Sequence, residues 1–364
     1  MKVVYEGALF PGVGGGPRHF TGLSDSLVRA GIDVVHVLPC SSGVHGEELV
    51  DSLVELRWFG GRLARQLSYE VSRVLLLLRW WVTRRRVDVW MSRHSFFGVG
   101  LILARLVARQ VVLEINGPIR EEVEVNLASR PLAVVADALM RIQVRAADCV
   151  VTVTPGLASY VEKRVPTSRC VVLPNGANPG HATRIPDQRD LSLIFVGALT
   201  PWYEMDVVLQ ALRELRDDGL ALSLTVVGDG VRKAELVRQA TALRVADLVT
   251  FAGWVESDHV QDAIERSQVG LLPLRPKHRD VAAVGSPLKL YEYLAAGLQV
   301  VGTDLDGIEN APAAEAVHTY TQGRSHSCAV AIRAALAAAG SPPLEAAVWS
   351  WDARATDLIA ILME

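Results

Sequence analysis

The chain has 364 residues, 50% of them hydrophobic and 21% charged, with a formal net charge of −3. That length is comfortable for two domains, the composition excludes a disordered chain, and the charge gives no global attraction to nucleic acid. Cys40, Cys149, Cys170 and Cys328 are scattered without C-x-x-C spacing, which argues against a zinc site or disulfide framework and fits a reducing cytoplasm.

Met1-Lys2-Val3-Val4-Tyr5 begins as a strand and lacks the apolar core of a signal peptide. In the first half, strands are predicted at Val3–Tyr5, Asp33–Leu38, Val87–Met91, Val111–Ile115, Val150–Val153 and Val171–Leu173. Helical patterns lie between them at Arg18–Arg29, Arg62–Arg84, Phe96–Ala108 and Leu132–Ala146. Such alternation predicts a parallel sheet covered on both faces.

The segment 57–86 stands out. Its apolar run Val71–Val82 is broken by Arg73 and Arg79 and followed by Arg84-Arg85-Arg86, while Arg57, Arg62 and Arg65 precede it. Trp80 and Trp81 are side chains that favour a membrane interface. Two readings are open: a helix packed on a sheet with solvated arginines, or peripheral contact with an anionic membrane or an acidic acceptor. No apolar run reaches the roughly 20 residues that span a bilayer.

A loop rich in Pro, Gly and Asn, Pro174 to Pro186, precedes a restart of the pattern. Strands are predicted at Leu191–Leu199, Leu222–Val227, Val249–Phe251, Val269–Leu272 and Val300–Val301, with a helix over Met205–Arg216. The expectation is an α/β chain of two doubly wound, Rossmann-like domains facing a cleft, since ligands of such sheets bind beyond the strands' carboxyl ends. The boundaries expected are 1–178, 179–345 and a terminal helical stretch 346–364 that crosses back to the first domain.

Glycines at 12 and 14–16 would let backbone amides approach a phosphate or sugar, although no Lys-Ser/Thr follows them as in a P-loop. Gly228-Asp229-Gly230 and Phe251-Ala252-Gly253-Trp254-Val255 are sheet-edge elements of the second half. The most informative stretch runs from Gly285 to Gly297. Ser286 is placed as the N-cap and Pro287 as the first helical residue, so the helix start forms an anion site. Lys289 adds a positive charge there, and Glu292 is spaced to accept hydrogen bonds from a diol. Diphosphate plus ribose suits this arrangement.

Gly14-Gly15-Gly16, Leu113-Glu114-Ile115-Asn116-Gly117-Pro118, Val172-Leu173-Pro174-Asn175-Gly176, Phe195-Val196-Gly197, Val227-Gly228-Asp229-Gly230 and Ser286-Pro287-Leu288-Lys289-Leu290-Tyr291-Glu292-Tyr293 occur in this order. Together they resemble family-4 retaining glycosyltransferases of the GT-B fold, over nearly the whole chain. The resemblance implies a nucleotide-sugar donor (UDP, GDP or dTDP type) on the second domain, an acceptor on the first, and no metal or other cofactor. It further implies that Lys289 and the backbone around Gly285, Ser286, Pro287 and Leu288 bind diphosphate. Glu292 would bind the ribose, Trp254 and Val255 would flank the base, and Gly197 and Gly228 would line the donor. Gly15, Gly16 and His19 match a loop closing over the diphosphate, and Asn116 and Glu121 match a segment lining the acceptor side. Lys289, Asn116, Glu121 and His19 are therefore the candidate catalytic set.

The chain departs from that pattern. Val284 stands where many relatives have a sugar-contacting glutamate, and Ala198 and Tyr203 stand where a basic pair is common. Arg275, Lys277, His278, Arg279 or Arg18 could supply the missing charge. The reading favoured is transfer to a small-molecule acceptor whose nucleophile is O, N or S. Alternatives are a lipid-linked or surface-polysaccharide acceptor at the inner membrane, a catalytically impaired nucleotide-sugar- or partner-binding homologue, and a nucleotide-sugar epimerase of the same architecture.

Overall fold

The computed structural model describes residues 1–8, 16–40, 53–98, 100–127, 129–166, 169–178, 192–255, 257–275, 286–305, 308, 313–339 and 346–364. Two compact units emerge, one of Met1–Gly176, Val284–Ser286 and Trp351–Glu364, the other of Ala177–Ala283 and Pro287–Ser350.

The first unit contains strands β1 (Lys2–Glu6), β2 (Asp33–Pro39), β3 (Leu53–Leu56), β4 (Val87–Arg93), β5 (Ala108–Ile115), β6 (Cys149–Thr152) and β7 (Cys170–Val172). They form one sheet in the order 3-2-1-4-5-6-7, and every pairing is parallel. Its helices are α1 (Gly16–Arg29), α2 (Arg62–Val82), α3 (Leu101–Ala104), α4 (Ile119–Leu127), α5 (Arg130–Ala146) and α6 (Pro155–Arg164). Two of them begin as their sequences dictate. Ser129 Oγ accepts from the Leu132 amide at 3.4 Å to start α5, and Thr154 Oγ1 accepts from the Leu157 amide at 3.1 Å to start α6. A proline in the first turn supports both starts.

The second unit contains β8 (Ser192–Val196), β9 (Ser223–Val227), β10 (Val249–Gly253), β11 (Val269–Leu272), β12 (Gln299–Thr303) and β13 (Val317–Tyr320), ordered 10-9-8-11-12-13 and parallel throughout. Its helices are α7 (Met205–Asp217), α8 (Lys233–Ala242), α9 (Ser257–Glu265), α10 (Leu288–Ala295) and α11 (Ser325–Ala338). Both sheets reverse their strand order once, between β1 and β4 and between β8 and β11. Those reversals are the topological switch points at which ligands of open α/β sheets bind.

Helix α12 (Trp351–Met363) belongs to the first unit and packs on α1. The packing requires small residues: a Cβ on Gly22 or on Gly176 would run into the Trp351 ring. Arg29 Nη2 reaches Asp352 Oδ1 at 2.7 Å across the same contact.

Several sequence expectations are corrected. One helix was expected over Phe96–Ala108, but only Leu101–Ala104 is helical. The backbone at Gly98 and Gly100 is used for packing instead, under Gln143 and against Glu70, and Ala108 already belongs to β5. Arg73 and Trp80 were read as basic and interfacial groups, yet both are buried. Arg73 Nη1 lies 3.2 Å from Glu6 Oε1, and Trp80 packs edge-on against Trp90. Edge strands β3 and β13 were not expected at all. Among the described residues no helix is long and apolar enough to cross a membrane.

Candidate functional site

Strand β5 runs through the apolar Val111-Val112-Leu113 and then delivers Glu114, only 2% exposed, to its carboxyl end. Four elements converge on that carboxylate. Tyr5 OH donates to Oε2 at 2.7 Å, His19 Nε2 lies 2.9 Å from Oε1, Arg93 Nε lies 3.3 Å from Oε1, and Asn116 Nδ2 donates to Oε1. The His19 contact is close but lacks the alignment of a linear hydrogen bond. Burial pushes the Glu114 carboxyl up. The charges of His19 and Arg93, with the hydrogen bond from Tyr5, outweigh burial and hold it well below the carboxylate range.

The other ring nitrogen of His19, Nδ1, is 2.7 Å from Asn175 Oδ1. Asn175 commits its amide hydrogens to the Ser286 carbonyl at 2.9 Å, so its oxygen faces the ring and Nδ1 is the donor. Arg93 Nη1 also donates to the Gly16 carbonyl at 2.8 Å. The first turn of α1, from Gly16 to His19, is thereby strapped to the carboxyl edge of the sheet at its switch point.

His19 and Asn116 thus share one carboxylate, whereas Glu121 stands in a different cluster. Its carboxylate accepts from Tyr160 OH at 2.8 Å and Arg164 Nη2 at 3.4 Å, on α6. Arg18 is exposed. Gly15 and Gly285 lie outside the described residues, as do Val284, Lys277, His278 and Arg279.

In the second unit, glycines line the carboxyl ends of β8, β9 and β10. Gly228 has φ +133°, and a Cβ there would strike the Gly197 carbonyl oxygen. Its amide donates to the Gly253 carbonyl at 2.7 Å, and the Gly197 amide donates to Val227 O at 3.0 Å. Gly253 has φ +74° and turns the chain so that Trp254 stands 78% exposed, while Val255 packs half-buried on the core. The result is a bare backbone shelf with an exposed indole beside it.

Helix α10 is fixed to this edge by Tyr293. Its hydroxyl accepts from the Val196 amide at 3.0 Å, at the end of β8, and its ring covers Gly270 of β11 so closely that a Cβ would not fit. The helix begins at Leu288, one residue later than expected. Pro287 is the extended N-cap (φ −67°, ψ 120°), so Ser286 lies before the cap. Lys289 Nζ donates to Glu292 Oε2 one turn away, and both side chains are mostly shielded.

Near the departures from the family pattern, the described cations Arg275 and Arg232 are already engaged. Tyr203 packs edge-on against Phe195, with its backbone bridged to Leu274. Arg275 grips Asp206 at 2.6 and 2.7 Å, and Arg232 reaches the same carboxylate at 3.2 Å. Burial pushes the Asp206 carboxyl up, but hydrogen bonding and charge from Arg275, then Arg232, bring it below its ordinary value. Arg275 is therefore not an uncommitted replacement for the missing pair.

Two family models divide the chain between them. "Glycosyl transferase 4-like domain" matches residues 14–176 and "Glycosyl transferases group 1" matches residues 190–338. The chain belongs to this glycosyltransferase family. Its fold is GT-B. The apo lipopolysaccharide outer core galactosyltransferase WaaB superposes with a TM-score of 0.70 at 14% identity, covering 99% of each chain. Anabaena Alr3699/HepE in complex with UDP-glucose gives 0.69 at 15% identity over 100% of this chain and 99% of that one.

Among named glycosyltransferases, WcaL of Escherichia coli K12, named for colanic acid biosynthesis, is 30% identical over 118 residues. AmsK of Erwinia amylovora, named for amylovoran biosynthesis, is 28% identical over 119 residues. Each match covers 32% of this chain and spans 29% of the relative's own length.

Glu114, Arg93, Asn175 and Tyr293 were given no roles at the sequence level. A charge closing an apolar strand was the available signal for Glu114, and Asn175 sat in a motif already noted. Tyr293 closed the quoted Ser286–Tyr293 motif, but nothing in the sequence marked its hydroxyl as a partner of β8.

Proposed function

We propose that this glycosyltransferase moves a sugar from a nucleoside-diphosphate sugar to an acceptor with retention of anomeric configuration and without a metal ion. One observation carries the reading: α10, with Lys289 and Glu292 side by side, is pinned by Tyr293 to the switch point of a sheet whose edge is bare backbone. A helix start carries the positive end of the helix dipole and favours anions. The diphosphate sits there, Lys289 turns from Glu292 to the leaving phosphate, and Glu292 accepts the ribose hydroxyls. The indole of Trp254 stacks on the base, with Val255 beside it.

In the reaction the acceptor's nucleophile forms its bond to the anomeric carbon on the face from which the diphosphate departs. The bond from that carbon to the phosphate oxygen breaks, and this oxygen takes the acceptor's proton. Cationic and backbone donors preorganised at the leaving group lower the barrier. His19, oriented by Glu114 and Asn175, is the candidate catalytic group of the first unit, which carries the acceptor. Asn116 contributes to the acceptor side. Glu121 belongs there in a positioning role, since Tyr160 and Arg164 hold it.

A saccharide acceptor of surface-polysaccharide assembly is the reading favoured for the acceptor, because the relatives are named for colanic acid and amylovoran biosynthesis. A small-molecule acceptor is the competing one. Proton NMR of the product tests the mechanism: the donor's anomeric configuration is retained and EDTA leaves turnover unchanged. An inverted product, or a strict metal requirement, contradicts it.

A further inference from the structure

Helix α2 is apolar on two opposite sides. Tyr69, Leu77 and Trp80 face the core of the first unit. On the other side Leu67, Val71, Leu75, Leu78 and Val82, spaced 4, 4, 3 and 4 residues apart, form a stripe exposed by 38–72%. Trp81 stands beside the stripe and Phe59 just before the helix, both exposed. Exposed Ile102 lies on α3 and exposed Leu106 just after it, and α3 packs against α2. A helix that is apolar all round needs cover on both sides. The stripe from Leu67 to Val82 is about 22 Å long at 1.5 Å per residue.

The charges around it are one-sided. Residues 57–86 hold eight arginines and one acid, Glu70, in a chain of net charge −3. Glu70 is buried and paired with Arg73 inside the unit. Arg57, Arg79, Arg84, Arg85 and Arg86 are exposed, so the charge that this segment presents is positive.

We propose that α2 lies flat on an anionic phospholipid bilayer, its apolar stripe sunk into the interface and its arginines on the headgroups. An apolar face with Trp at its border and Arg around it is the chemistry of an interfacial helix. A second copy of this chain fits poorly, because pairing the stripes would bring two arginine belts together. The inference concerns where the enzyme sits and does not depend on the transfer reaction.

The test is flotation of the full chain with vesicles of phosphatidylcholine alone, and with about one third phosphatidylglycerol replacing it. Binding is expected only to the anionic vesicles and falls away at about 1 M salt, where the screening length is about 3 Å. The double variant Arg84→Gln/Arg86→Gln lowers the partition coefficient about 25-fold, at about fivefold per arginine. Leu75→Gln/Val82→Gln lowers it roughly tenfold or more. All four positions are exposed, so the thermal midpoint stays unchanged in both variants. Equal binding to neutral vesicles, or no binding to either kind, overturns the proposal. A concentration-dependent dimer in light scattering that Leu75→Gln/Val82→Gln abolishes overturns it in favour of a second copy.

Discussion

Replacing Glu114 by Gln removes the one negative charge that His19 and Arg93 share while leaving the side-chain volume intact. The amide oxygen can still accept from Tyr5 OH, but the amide hydrogens then point at His19, Asn116 or Arg93. Truncating one member of a buried charge cluster leaves the others unpaired and costs about 3–5 kcal/mol. No cavity term adds to this. The perturbation belongs to the first unit, so it should be read strand by strand, since a two-domain chain does not unfold in one transition. Hydrogen exchange followed by mass spectrometry over β1, β5 and the first turn of α1 is the assay. At 1.36 kcal/mol per decade, protection falls there by about two to four orders of magnitude, while β8 to β10 are unchanged. Combining Glu114→Gln with His19→Gln costs clearly less than the two single losses added. Protection in β1 and β5 within about threefold of the parent would refute the hub.

Tyr293→Phe leaves the buried Val196 amide without its acceptor, for a loss of about 1–3 kcal/mol, and loosens α10. Calorimetry should show weaker nucleotide binding, and unchanged affinity would detach α10 from the donor site. Gly228→Ala forces a side chain into a left-handed backbone against the Gly197 carbonyl; a lowered thermal midpoint with lost nucleotide binding is expected, and a neutral result would deny the close approach. His36, buried beside Ser24, has its pKa lowered by burial from 6.5 to about 4. Its folded-state pKa is depressed, so its contribution is complete above about pH 6.5 and is lost as the pH falls toward 4. The loss at pH 5 is roughly 2 kcal/mol. His36→Gln should flatten exchange in β2 between pH 7 and 5, and an unchanged slope would place the titration elsewhere.

Most strands were legible because each is a short β-branched run, as at Val111-Val112 or Val269 to Leu272. The missed edges are Leu53–Leu56 and Val317–Tyr320, short segments carrying Glu55 or His318 and Thr319 where an inner strand would be apolar. Gly98 and Gly100 marked the end of a helix pattern that Leu101–Leu103 and Val107 otherwise mimic. Arg73 could not be read as buried, because its Glu70 pair has the spacing of an ordinary surface pair and its second partner, Glu6, is 67 residues away. The donor motif at 285–293 was legible as chemistry, yet its helix start moved by one residue because Pro287 takes the extended backbone of a cap. The commitment of Arg275 to Asp206 was equally out of reach, being a contact across 69 positions.

Calorimetry of UDP, GDP and dTDP against the full chain and its Lys289→Ala and Glu292→Ala variants tests the donor site most directly. The account predicts that one nucleotide binds with micromolar affinity. Glu292→Ala should then weaken binding about tenfold through the ribose, the value of one charge-assisted hydrogen bond. Lys289→Ala should weaken the diphosphate nucleotide but not its monophosphate. Absence of binding to all three nucleotides, or full affinity in both variants, would contradict a donor site on α10.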